Sequence, residues 1–242
     1  MTIFYKCLYG SQNYHLDNEN SDIDIKILTI PTLDDLIKEK KTSKTIEIDT
    51  GQADVKDIRK MFEQILKCNP SYIEVLLNKY VEVNTDYQDE YNELISLRDR
   101  ILRYNLTALY KATLGTIFNK ERYVFNIYPT TEANITKYGY DGKNASHILR
   151  LKSFIKKVLD NEPFEECFDA KTYDNYKLIL DLKNHKIDKG LVADIVNQSI
   201  ANVKLLGPTI PIDVDIEVKG LMYDLADRII KKSIKEEILN VR

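Results

Sequence analysis

Asp22 and Asp24 alternate with Ile23 and Ile25 in the segment Ser21-Asp22-Ile23-Asp24-Ile25. In an extended strand, residues two apart project from one face, about 7 Å apart at the backbone. Two carboxylates placed this way suit Mg²⁺, a hard cation that takes oxygen ligands and completes its shell with water and substrate phosphates. Upstream, Leu8-Tyr9 runs into Gly10-Ser11, a side-chain-poor turn where backbone N–H groups can reach a phosphate. Phosphate grip and metal-ligating acids together point to nucleotidyl transfer. Such chemistry commonly uses a third carboxylate on a neighbouring strand. Asp54, between Ala53 and Val55, is the candidate, with Glu47 and Asp49 as competitors. The plainer alternative makes Asp54 a helix-start residue favoured by the macrodipole.

A second constellation lies in Lys137-Tyr138-Gly139-Tyr140-Asp141-Gly142-Lys143-Asn144-Ala145-Ser146-His147-Ile148-Leu149-Arg150-Leu151. On a helix, Lys143, His147 and Arg150 stand at i, i+4 and i+7 and share a face. Arg150 suits a bidentate phosphate contact and Lys143 a point-charge one. The competing reading is a solvated basic stripe. Among other polar groups, His15 lies in the loop between Ser11 and Asp22, where a lone histidine is most often just solvated. Tyr14 and Tyr140 are candidates for stacking on a base.

Elements must position these groups. Ile3 to Leu8 and Asp22 to Leu28 read as strands, the second stopped by Pro31. Leu33 to Lys40 reads as a short helix, and Thr45–Ile48 and Ala53–Val55 as further short strands. Ile58, Met61, Phe62, Ile65 and Leu66 recur at three and four, which predicts a helix from about Lys56 to Lys67. After Asn69-Pro70, Ser71 is the expected cap of another helix through Leu77. From about Asp86 helical periodicity dominates. One long helix is expected over Ile101–Ile117, another after Asp141-Gly142, and three more over Tyr173–Leu182, Leu191–Leu205 and Val218–Ile238. The reading is α+β: a small mixed-sheet core over 1–85, with a helical part over 86–242 that closes over the acids.

Bulk properties narrow the class. With 35 basic and 38 acidic residues among 242, the net charge of -3 is a small difference, so any nucleic-acid contact must come from a local basic face. Three widely spaced cysteines (Cys7, Cys68, Cys167) fit neither a disulfide framework nor a zinc cluster. Three scattered histidines agree. No basic region followed by a long apolar run opens the chain, so no signal peptide is expected, and no transmembrane helix either.

Three segments carry a family resemblance. The first is Tyr9-Gly10-Ser11-x-x-Tyr14 with Ser21-Asp22-Ile23-Asp24. The second is Asp54-Val55-x-x-Ile58-Arg59-Lys60, continuing to Asn69-Pro70 and Ile73-Glu74-Val75-Leu76. The third is Gly139-Tyr140-Asp141-x-Lys143-x-Ala145-x-His147-x-x-Arg150-Leu151. In order and spacing they resemble nucleotidyltransferases of the DNA polymerase β superfamily, of the bacterial and phage group that includes RNA-ligase-associated members, over roughly residues 1–205. The last helix has no counterpart in that pattern. His15 stands where the family often has glycine, a residue open to conformations that histidine adopts less easily.

The resemblance implies Mg²⁺ (or Mn²⁺) held by Asp22, Asp24 and Asp54. It also implies an NTP such as ATP held by Gly10, Ser11, Lys143, His147 and Arg150. The implied acceptor is an RNA end, tRNA included, in repair or modification; the cysteine usage points to the cytoplasm, or to a host cytoplasm for a phage protein. Two rivals stand beside it: transfer of AMP to a protein side chain, and a non-catalytic nucleotide- or RNA-binding regulator.

Overall fold

The computed structural model describes residues 2–19, 21–49, 51–77 and 79–240. By packing, the chain divides into two compact units. One is formed by residues 1–105 together with 214–242, the other by 106–213. The expected boundary at residue 85 therefore falls inside the first unit.

The first unit is built on a sheet with strand order β3-β4-β2-β1-β5. β1 (Thr2–Tyr9) carries buried Phe4, Tyr5 and Cys7 and pairs antiparallel with β2 (Asp24–Ile30). Pro31 follows β2, and Thr32 caps helix α1 (Leu33–Ile37) through a reciprocal pair with Asp35. β3 (Ser43–Ile48) is an exposed edge strand that forms a hairpin with β4 (Gly51–Asp57), and β4 pairs parallel with β2. At Gly51 a side chain has no room: a Cβ there would stand 2.6 Å from the carbonyl oxygen of Ile23.

Helix α2 (Ile58–Leu66) follows directly, burying Ile58, Met61, Phe62 and Ile65 at the spacing the sequence announces. Its cap is Asp57, whose carboxylate accepts from the Arg59 N–H. The next helix, α3 (Pro70–Ile73), is capped by Asn69 rather than Ser71, with Pro70 in its first turn, where a missing N–H costs nothing. β5 (Glu82–Val83) closes the sheet against β1.

Helices α4 (Gln88–Ser96) and α5 (Arg98–Arg103) belong with the sheet. Tyr87 and Tyr91 meet Phe4 and Tyr5 edge-on in an aromatic core. The long helix expected over 101–117 is broken: α5 ends at Arg103 and α6 (Leu106–Val124) starts anew. The break has a cause in the returning chain. Tyr104 O accepts from Asp215 N, and Asn105 bridges Val214. The last helix, α12 (Ile216–Asn240), thereby joins the first unit, burying Val218, Met222, Leu225 and Ile229.

The second unit is helical. α6 and α10 (Tyr176–Lys183) pack along α8 (Gly142–Leu159), as does α11 (Lys189–Leu206), with α7 (Glu132–Tyr138) and α9 (Phe164–Phe168) between them in the chain. Phe154, Phe164 and Phe168 form its aromatic centre. No described helix is long and apolar enough to cross a membrane. The α+β class read from the sequence is the class found.

Candidate functional site

Tyr9, the last residue of β1, pairs with Asp24, the first of β2. Directly after Tyr9 the chain makes a tight turn over Gly10–Gln12. Gly10 sits at φ +81, a backbone conformation closed to most side chains. Among the described residues, a Cβ added there would meet only the Asp24 carboxylate, with Oδ2 at 3.7 Å. The turn and the acid are therefore neighbours, and the space above Gly10 is bounded by a carboxylate. Leu16 N donates to Ser11 O and Asn13 Nδ2 to Leu8 O, so the loop folds back on itself.

His15 lies in the left-handed region at φ 54. Histidine thus adopts the conformation a glycine would favour, at a cost of about 1 kcal/mol. Its Nε2 lies 2.7 Å from Lys79 Nζ, so it is held against a lysine rather than left in solvent. Tyr14 is buried, which removes it as a surface for base stacking.

The two acids of the first segment do not share a regular strand. β2 begins at Asp24, which is half-buried, while Asp22 lies in the irregular chain ahead of it and is exposed. Asp54 sits inside β4, and the helix-start role falls to Asp57 instead. The parallel β2–β4 register sets Asp54 across from Lys26, and Lys26 follows Asp24 by two. Strand alternation then puts Tyr9, Asp24, Lys26, Asp54 and Lys56 on one face of the sheet. Of the competitors, Glu47 is an exposed edge residue that accepts from Gln52 Nε2 at 3.0 Å, and Asp49 lies in the turn after β3.

That face is rich in charge. Burial, then the nearby carboxylates of Asp24, Asp54 and Glu74, push the Tyr9 phenol up to about 12. Lys26 is only 3% exposed. Its ammonium donates to Ser71 O at 2.6 Å and lies over the rings of Tyr9 and Tyr72, at 4.7 and 4.4 Å from their centres. Asp54 Oδ1 is 2.9 Å from Lys56 Nζ. Neither lysine was singled out from the sequence, although the signal was present: both strands carry Asp-x-Lys, as Asp24-Ile25-Lys26 and Asp54-Val55-Lys56.

Among the described residues, no group of three or more His, Cys, Asp or Glu side chains stands ready to hold a metal ion. The donors still fit Mg²⁺ in kind. That ion is usually held by one or two carboxylates, with substrate phosphates and water supplying the rest. Asp24 and Asp54 on neighbouring parallel strands meet that need, with exposed Asp22 close to the first in sequence.

In the second unit, Asp141 caps α8. Its carboxylate accepts from Asn144 N at 2.7 Å, Asn144 Nδ2 at 2.8 Å and Asn134 Nδ2 at 2.8 Å. Gly142 is required by contact, since a Cβ would lie 2.3 Å from Leu182 O. Along the helix Lys143 is exposed, His147 half-buried and Arg150 buried at 3% exposure, so the row runs inward from solvent. That is not the arrangement of a solvated stripe.

Burial, and then the charges of Arg150, Lys120, Lys143 and Lys183, hold His147 well below the ordinary histidine value. Lys120 on α6 is lowered by burial and by Lys143 and Arg150, with Asp141 opposing. Lys120 and Lys183, from flanking helices, thus complete a cluster whose α8 members alone were legible. Helix packing creates it, and no local pattern announces it. Tyr140 is buried and donates to Ile187 O at 3.1 Å, so it too is removed as a stacking surface.

A comparison with curated proteins finds no match. Residues 1–160 match the RlaP family, described as the RNA repair pathway DNA polymerase beta family. The match ends short of the 205 residues suggested by motif spacing, yet it takes in the Gly10-Ser11 turn, all three acids and the row on α8. With well over half of its length matched, the chain belongs to this RNA repair family of the DNA polymerase β superfamily.

Proposed function

We propose that this protein is a Mg²⁺-dependent nucleotidyltransferase that moves a nucleoside monophosphate from an NTP to the hydroxyl of an RNA end. The observation that carries the reading is the sheet face shared by Asp24, which borders the Gly10 turn, and by Asp54, which stands across from Lys26 on the adjacent parallel strand. Ser11 and the N–H groups after Gly10 hold the triphosphate. Asp22, Asp24 and Asp54 would hold the metal, which when bound neutralises charge on the attacking and leaving oxygens. The acceptor oxygen bonds to the α-phosphorus, and the bond to pyrophosphate breaks. Asp54 takes the hydroxyl proton. In the second unit, exposed Lys143 and half-buried Lys120 and Lys183 offer cationic donors to an RNA phosphate, with buried Arg150 adding positive charge behind them. Neutral His147 adds a hydrogen bond without adding charge.

The test is incubation with each labelled NTP, Mg²⁺ or Mn²⁺, and RNA or protein, resolved on a gel. Label in RNA with release of pyrophosphate supports the reading. Label in protein replaces the acceptor. Labelling unchanged in Asp24→Asn overturns the site.

A further inference from the structure

Asp54 Oδ1 is buried, makes no hydrogen bond, and is held by Lys56 Nζ as an ion pair at 2.9 Å. That ammonium also donates to Ser43 Oγ at 2.8 Å, on the edge strand across the β3–β4 hairpin, where Ser43 and Lys56 are register partners. The side chains of Lys56 and Asp54 are 12% and 15% exposed, so the pair is shielded from bulk screening. A line Ser43–Lys56–Asp54 therefore runs from the sheet edge to the acid. An arriving cation would find Oδ1 inaccessible and already neutralised, with Oδ2 left to bind.

We propose that Lys56 is a positioning residue. It fixes Asp54 Oδ1 so that Oδ2 is aimed for a divalent cation, and Ser43 holds Lys56 in place. The inference rests on the reading of Asp54 as a metal ligand. Ligating carboxylates are commonly oriented by an outer hydrogen-bond partner, whose loss weakens metal binding about 10–100-fold. An ammonium beside a cation site has an opposing effect, because it repels the ion. Burial of Oδ1 decides between them: without Lys56 that oxygen loses its ion-pair partner, and the carboxylate is free to turn.

The experiment is a Mn²⁺ titration of the full-length protein, followed by loss of the free-ion paramagnetic resonance signal. Lys56→Met should weaken Mn²⁺ binding about tenfold or more, Lys56→Arg should restore most of it, and Ser43→Ala should cost a smaller factor. In an Asp54→Asn background, Lys56→Met should add nothing. Circular dichroism of each variant identifies loss of fold, and Ser43→Ala carries the test if Lys56→Met does not fold. Binding in Lys56→Met that equals or exceeds that of the unaltered protein, while Asp54→Asn weakens it, overturns the positioning role alone. Binding unaffected by Asp54→Asn overturns both that role and the metal-site reading.

Discussion

At the scale of single residues, the acids and the turn beside them make separable demands. Asp24→Asn should abolish nucleotide transfer while the thermal midpoint holds or rises, because one of the carboxylates crowding Tyr9 is neutralised. A gel assay beside a melting curve checks both halves. Ser11→Ala should raise KM for NTP more than it lowers kcat, since a hydroxyl touching the ground-state triphosphate contributes uniform binding; an unchanged KM would make Ser11 a turn residue only. His147 makes a prediction about stability. Its folded value lies well below 6.5, so above that pH both folded and unfolded states are neutral. As pH falls below about 6.5 the unfolded chain takes up a proton that the folded one refuses, and stability declines. His147→Gln should flatten the fall in melting temperature between pH 7.5 and 5.5. His185, also lowered by burial, keeps its own share of the slope.

At the scale of elements, Asp141 ties α8 to α7 and satisfies the first turn of the helix. Asp141→Ala should cost about 2 kcal/mol, the upper end for a cap, read by urea denaturation. Arg150→Lys should lower kcat/KM at least tenfold, about 1.4 kcal/mol, because lysine cannot reproduce the planar multi-donor guanidinium buried in the basic cluster. What was legible follows the same divide. Alternation in β1 and β2 and the three-four spacing of α2 are local, and the sequence displays them. Asp57 takes the cap role through Arg59, two residues on, whereas the break at 104–105 depends on partners distant in the chain. No periodicity in 101–117 encodes an Asp215 that arrives more than a hundred residues later. Asp22 and Asp24 read as a pair only if the strand starts before Asp22, and it starts at Asp24. The register that puts Asp54 beside β2 is likewise invisible until the sheet order is known.

For the whole molecule, the family match ends at residue 160, but the sheet unit does not. α12 is tied back by Arg100 to Asp215 and Glu217, by Arg228 to Glu93 and by Lys232 to Glu90. Those pairs, most of them exposed, contribute little each. The apolar side chains of Val218, Met222, Leu225 and Ile229 contribute more, roughly 1.5–3 kcal/mol apiece when fully buried. A chain ending at Asp213 should therefore unfold cooperatively at far lower urea than the full chain, or aggregate, although it keeps every matched motif. A truncated protein as stable as the parent would show that α12 is dispensable.

The return of the chain at Val214 to bridge Asn105 also imposes an order on synthesis. The ribosome emits β1 through α5 first, then the whole helical unit, and only afterwards the helix that covers the sheet unit's remaining apolar surface. At roughly 5–20 residues per second, that surface waits on the order of ten seconds. The helical unit is continuous in the chain and completes itself during the wait. Its maturation precedes that of the acid-bearing unit, so a nascent chain acquires its basic cluster before its carboxylate face is stable.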